Sequence, residues 1–252
     1  MQLTPSLHRL GNSSLVNSYL VEDAGQVTVI DAGLPGLWKD LVAELDLMGR
    51  SLRDIRAVLL THGDVDHVGF AERLRREHGV TVWVSELDAS EARGRTNKPP
   101  AVRDPMRIRP MIGFLLYAAT HGGLRSTPIA EVATFMPGTT LDVPGAPRVI
   151  ELPGHTPGSV AYHVPGLGAV FVGDAMTTRS VTTGIVGPAL GPFTVDPAMA
   201  VASLDRLDGL TADWVLPGHG DPWTGGLDEA LDQIRARSGG AATQPGADSK
   251  AD

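Results

Sequence analysis

Ala57-Val58-Leu59-Leu60-Thr61-His62-Gly63-Asp64-Val65-Asp66-His67 is the stretch on which the fold turns. Its apolar half, Ala57–Thr61, reads as a short strand buried on both faces, the kind found in parallel sheets. Its polar half leaves the end of that strand with two imidazoles and two carboxylates. The pattern recurs along the chain. Pro153-Gly154-His155-Thr156-Pro157-Gly158 follows an expected strand over 148–152. Gly173-Asp174 closes one over 169–173, and Pro217-Gly218-His219-Gly220 follows one over 214–216. Side chains at strand ends of an α/β sheet converge on one edge, where such folds place their sites. Four of the eight histidines (His62, His67, His155 and His219) would then meet Asp64, Asp66 and Asp174 in one cleft. Imidazole and carboxylate together are ligands for divalent zinc, iron or manganese. Taken singly, each residue has a plainer reading: a hydrogen-bonded loop histidine, a helix cap, a turn. What the plain readings leave unexplained is their recurrence after strand after strand. His8, His78, His121 and His163 fall outside the pattern and are expected to be ordinary structural histidines.

Working outward, 15–21 and 26–31 read as a β-hairpin around Glu22–Gly25, ending in Asp31-Ala32-Gly33. Pro35 opens a helix on which Leu37, Leu41, Leu45 and Met48 recur at helical spacing up to Gly49. A second helix carries Phe70, Ala71 and Leu74 and stops at Gly79, before a strand over 80–84. The segment 85–135 breaks the rhythm. It reads as an insertion of about two helices and is either a lid over the site, with Met111, Phe114, Leu115 and Tyr117 as an apolar wall, or a peripheral excursion. A strand over 159–164, a Thr-rich loop over 176–183, a helix over 197–207 and a last helix over 226–237 complete one domain spanning 1–237. From Ser238 onward the Gly, Ala, Ser, Thr, Gln and Asp composition predicts a disordered tail.

Composition narrows the chemistry. With Cys 0 among 252 residues, disulfides, thiol catalysis, iron–sulfur clusters and cysteine-ligated zinc are all excluded. The formal charge of −8, from Lys+Arg 21 against Asp+Glu 29, argues against a nucleic-acid partner. No apolar run approaches the roughly 20 residues of a membrane span. The opening residues also lack a cationic stretch followed by an apolar core. A cytoplasmic protein that binds a small molecule, not a membrane, is expected, and a homodimer is open.

In order, Asp31-Ala32-Gly33, His62-Gly63-Asp64-Val65-Asp66-His67, Gly154-His155-Thr156-Pro157-Gly158, Gly173-Asp174 and Pro217-Gly218-His219-Gly220 resemble the motifs of the metallo-β-lactamase superfamily, from about Leu15 to His219. The resemblance implies an α/β fold, an αβ/βα four-layer sandwich with a helical insertion, and two divalent metal ions at the sheet edge. Carried over by position, His62 and His155 belong to a first metal. Asp66, His67 and His219 belong to a second, and Asp174 bridges the two. The family usually writes its first motif His-x-His-x-Asp-His, and Asp64 stands in the place of the second histidine. A carboxylate there can still coordinate. Three carboxylates around two dications would lower Lewis acidity and favour harder metals, so manganese and iron stand beside zinc. The other reading is that Asp64 turns away and the first metal binds weakly or not at all.

The activity so implied is metal-dependent hydrolysis, with a metal-bridging hydroxide attacking a small ester, thioester, lactone or amide. Asp66, or a metal-bound water, is the candidate to pass a proton to the leaving group. Thr177 stands where the acyl-homoserine lactonases carry a tyrosine. The helical domain that glyoxalase II proteins append for glutathione is not expected in the short stretch after His219. Two other readings stay open: an iron-dependent oxidoreductase, since flavodiiron-type members also carry a carboxylate at the position of Asp64, and a non-catalytic binding protein stabilised by metal.

Overall fold

Side chains alternate across each central strand, and here the two faces feed different cores. In the computed structural model, which describes residues 1–11, 13–95, 99–101 and 106–241, the first sheet has seven strands in sequence order. They are β1 (Gln2–Thr4), β2 (Leu7–Arg9), β3 (Tyr19–Asp23), β4 (Gln26–Ile30), β5 (Ile55–Leu59), β6 (Thr81–Val84) and β7 (Ala133–Thr134). The strands from β1 to β4 pair antiparallel, and those from β4 to β7 pair parallel. The second sheet holds β8 (Arg148–Glu151), β9 (Val160–Val164) and β10 (Ala169–Gly173). After β10 a separate two-stranded ribbon forms from β11 (Thr177–Arg179) and β12 (Val186–Ala189). The chain then returns as β13 (Trp214–Pro217), parallel to β10.

On one face of the first sheet Val29 and Val58 pack against Leu41 and Leu45 of α1 (Trp38–Leu47) and Leu74 of α2 (Ala71–His78). Their neighbours Ile30 and Leu59 point the other way and meet Val149, Tyr162, Phe171 and Leu216 of the second sheet. Val170 and Val172 continue through that sheet to a third core, closed by Leu204, Leu231 and Ile234. Helix, sheet, sheet, helix is therefore the layer order, the four-layer αβ/βα sandwich that the motifs led us to expect. Gly79 ends α2 with φ of 69°, a left-handed conformation that glycine adopts without a Cβ penalty.

The structure differs from the sequence reading in five places. The first nine residues, unassigned in the sequence, supply β1 and β2. The hairpin starts at Tyr19 instead of Leu15. The 85–135 segment does contain helices, α3 (Ala89–Ala92) and α4 (Ile108–Thr120), yet it also returns to the sheet as β7. The Thr-rich loop is largely the β11–β12 ribbon. After α5 (Pro197–Ser203), the last helix, α6 (Leu227–Ala241), runs four residues beyond the expected boundary at 237. The remainder of the expected tail, 242–252, and Lys98 and Arg103 of the insertion lie outside the described residues.

Candidate metal centre

Four histidines reach the same edge of the two sheets, and each has its Nδ1 turned toward the protein. Thr61 Oγ1 donates to Asp31 Oδ2 at 2.8 Å, so it is free to accept from His62 Nδ1 at 3.0 Å. His67 Nδ1 donates to Asp31 Oδ2 at 2.9 Å. Thr194 Oγ1 donates to Gly191 O at 2.7 Å and stands 3.4 Å from His155 Nδ1. His219 Nδ1 donates to the carbonyl of Leu15. Holding the proton on Nδ1 leaves the Nε2 lone pair of each ring for the cleft, the arrangement a metal-binding histidine needs.

Those Nε2 atoms face carboxylates. His155 Nε2 lies 3.2 Å from Asp64 Oδ2 and His62 Nε2 lies 3.7 Å from the same oxygen. His219 Nε2 lies 3.0 Å from Asp174 Oδ2 and 3.4 Å from Asp66 Oδ2. His67 Nε2 is 3.6 Å from Asp174 Oδ1, and His155 Nε2 is 3.8 Å from Asp174 Oδ2. All seven residues singled out in the sequence therefore come together, Asp64 included, with its carboxylate turned toward the cluster. Among the described residues three groups could each hold an ion: His62 with Asp64 and His155; His62 with His67 and Asp174; and Asp66 with His67 and His219. The ligand atoms within each group lie within 4.8 Å of one another.

The donor set fits a cation for two further reasons. Nε2 of His62, Nε2 of His67 and Oδ1 of Asp174 are buried without a hydrogen-bond partner among the described residues. Leaving such atoms unsatisfied costs about 1–3 kcal/mol each. The electrostatics also call for positive charge. Burial opposes a charge on His67, but Asp31 and Asp174 outweigh it and raise its pKa to about 10. Burial likewise opposes a charge on His219, and Asp174 outweighs it, giving about 9. The Asp174 carboxyl, despite its burial, is held well below the usual carboxylate range by His219 and His67. His62 goes the other way, pushed down by burial and by the neighbouring His67.

Glycine and a buried aspartate set the frame. A methyl group at Gly218 would stand 2.5 Å from His67 Cε1, so only glycine lets the His219 turn approach this closely. Asp88, at the start of the insertion, is buried and ties two site loops together. It accepts from Gly63 N at 3.0 Å, Gly158 N at 2.8 Å and Thr156 Oγ1 at 2.6 Å. Burial nevertheless raises its pKa, against the pull of those three donors. Asp88, Thr61 and Thr194 were not singled out in the sequence, because each acts on residues that only the fold brings near. The signal available for Asp31 was its position at a strand end beside a glycine; its partners were not readable. The outlying histidines have ordinary contacts: His8 with Glu44 at 2.7 Å, His78 stacked on Trp38, His121 stacked on Tyr117, and His163 with Thr211 O.

The cluster opens into a cavity of about 430 Å³. Phe114 and Leu115 of α4 line it, so the insertion does cover the site, and the Phe114 ring stands perpendicular to His219 at 5.9 Å. Met111 and Tyr117, expected in the same wall, do not line it; Tyr117 packs against the first helix-covered core instead. Thr177 is buried in β11 and does not line it either.

The sequence model of the Metallo-beta-lactamase superfamily matches residues 12–219, and the chain belongs to that family. Within it, the chain resembles members of the metallo-hydrolase kind. It is 25% identical over 237 residues to the "Probable metallo-hydrolase YflN" of Bacillus subtilis, covering 84% of this chain and 83% of that one. It is 32% identical over 168 residues to the "Uncharacterized protein YobT" of the same organism, covering 65% of this chain and 63% of that protein's length. A hydroxyacylglutathione hydrolase of Cereibacter sphaeroides matches at 28% over 161 residues, 63% of this chain and 47% of the relative. Among solved structures, TTHA1623 "in a di-iron-bound form" superposes with a TM-score of 0.58 at 29% identity, covering 89% of this chain and 95% of that one. Among the described residues no helix is long and apolar enough to cross a membrane.

Proposed function

We propose that the protein is a dinuclear metal-dependent hydrolase acting on the carbonyl of a small ester, thioester, lactone or amide. The observation that carries this reading is the position of Asp174, whose two oxygens lie between His67, His155 and His219 at 3.0–3.8 Å. A carboxylate so placed can bridge two ions, with His62, Asp64 and His155 on one side and Asp66, His67 and His219 on the other. When bound, divalent ions supply an activated water near neutral pH and polarise the substrate carbonyl. Zinc suits the imidazoles, and manganese or iron suits the three carboxylates.

The chain's own groups do the rest. Asp31, Thr61 and Thr194 hold the imidazole tautomers. Asp66 lines the cavity and can hand a proton to the departing oxygen, sulfur or nitrogen. α4 screens the reacting centre from bulk water through Phe114 and Leu115.

A redox reading has one specific support, the Asp64 carboxylate beside His155 taken with the di-iron form of TTHA1623. Metal quantification and an activity screen on one preparation decide between the two. Colourless protein that cleaves esters, thioesters or lactones, and stops on chelation, supports hydrolysis. Two irons with oxygen consumption and no ester cleavage overturn it.

A further inference from the structure

We infer that Asn17 is a positioning residue for His219, and through that ring for the second of the two ions. This rests on the dinuclear reading and deepens it.

The candidate ligands of the second ion come from both sheets. Asp66 and His67 follow β5 of the first sheet, and His219 follows β13 of the second. The turn Pro217–Gly220 is gripped by residues 14–19, which lead into β3 of the first sheet. Asn17 Nδ2 donates to Pro217 O at 2.8 Å and to Gly220 O at 2.7 Å. Asn17 N donates to Gly218 O at 2.8 Å, Gly220 N to Ser14 O at 2.8 Å, and the Tyr19 hydroxyl to Pro217 O at 2.8 Å. Between these contacts the His219 ring donates to Leu15 O.

The Asn17 side chain straddles His219: its nitrogen holds the carbonyl two residues before the ring and the carbonyl one residue after it. A primary amide can do this because it carries two donors; a serine offers one, and an ionised aspartate none. Asn17 is 0% exposed, and its Oδ1 is buried without a hydrogen-bond partner among the described residues. An apolar side chain would avoid burying that idle acceptor, which is unfavourable, but would hold neither carbonyl. The two donors are what the amide contributes.

The far side of the turn is closed. Gly218 packs on His67 and Asp174, and a Cβ at Gly220, where φ is 96°, would collide with Thr178 Oγ1. Freed on the Asn17 side, the turn can move only away from His67, which widens the gap between the His67 and His219 rings, now 5.6 Å between centroids. Asp88 makes the corresponding link for the first ion, joining Gly63, beside His62 and Asp64, to Thr156 and Gly158, beside His155. Separate residues thus steady the two ions, and loss of Asn17 should weaken one and spare the other.

The test titrates zinc into the full chain in competition with a chelating dye. The parent should take up two ions. Asn17→Ala should weaken one of them about 10–100-fold and leave the other within about twofold. Asn17→Ser, with one donor, should fall between. Thr28→Val removes a buried side-chain bond to Pro144 O outside the site and controls for lost stability alone; it should leave both ions unchanged. On a His219→Ala background, Asn17→Ala should shift the remaining ion by less than about twofold, because the ring it positions is gone. Equal weakening of both ions, a similar loss in Thr28→Val, or a full further loss on the His219→Ala background overturns the inference and leaves the dinuclear reading standing. A parent that takes up a single ion ends the dinuclear reading. The role of Asn17 then stands if Asn17→Ala weakens that ion and falls if it does not, and a parent that takes up none overturns both.

Discussion

Asp31 Oδ2 accepts the Nδ1 proton of His67 at 2.9 Å from a backbone held at φ of 58°, in the left-handed region. The same carboxylate accepts from Thr61 N at 2.7 Å and Thr61 Oγ1 at 2.8 Å. One residue at the end of β4 thus fixes the start of the loop that carries His62, Asp64 and Asp66, and also the ring that ends it. The unusual backbone angle aims the carboxylate back across the end of β5, and the three hydrogen bonds offset its conformational cost.

Asp31→Asn should keep the fold while loosening His67, because an amide can offer its NH2 where the ring nitrogen needs an acceptor. Groups that orient metal-ligating histidines typically change affinity by about 10–100-fold when removed. Competition against a graded chelator series checks this. Unchanged metal retention would show that Asp31 serves only the strand end.

Asp66→Asn should lower turnover by about 100-fold or more, the usual contribution of a positioned proton donor. Metal content is measured on the same sample, because Asp66 also stands 3.4 Å from His219. Full turnover with metals retained would remove Asp66 from the reaction.

Asp88→Ala leaves the amides of Gly63 and Gly158 and the hydroxyl of Thr156 without their acceptor in a buried place. At about 1–3 kcal/mol for each unsatisfied buried group, partly relieved by water, a loss of about 2–5 kcal/mol is expected. Urea unfolding of the metal-free protein measures it without the contribution of the ions. Asp88→Asn, which keeps one acceptor oxygen, should fall between the two.

Glu44 provides a pH-dependent contribution far from the cleft. Burial alone would raise its pKa, but the Met1 amine at 2.5 Å and His8 at 2.7 Å lower it from the ordinary 4.5. A carboxyl lowered in the folded state stabilises the protein above its unfolded pKa, and that stabilisation disappears as pH falls through the folded value. Glu44→Gln should therefore lower Tm at pH 6–7, with the gap from the parent protein closing as the pH drops below about 4.5. A gap that stays constant over that range would show that Glu44 acts by packing instead of charge.

The sequence made the layers and the candidate ligands legible. Apolar runs such as Val58–Leu60 and the helical spacing of Leu41 and Leu45 are local patterns, and each ligand sits on the loop that leaves a strand end recognisable alone, from Asp174 directly after β10 to His67 at the far end of the loop after β5. Asp88 was not legible: it lies 25 residues from Gly63 and 70 from Gly158, and nothing near it in the chain names those partners. Nor were β1, β2 and β7, which are only two or three residues long and exist because a sheet edge is there to pair with.

By itself, then, the sequence determined which side chains stand at strand ends and which type of ion they suit, because strand burial and ligand chemistry depend on near neighbours. Only the tertiary structure decided that Asp64 turns into the cluster, that all four Nε2 atoms face one cleft, and that Phe114 and Leu115, but not Met111 and Tyr117, cover it. Those outcomes depend on contacts such as Leu15 with His219, 204 residues apart, which form when the two sheets pack against each other.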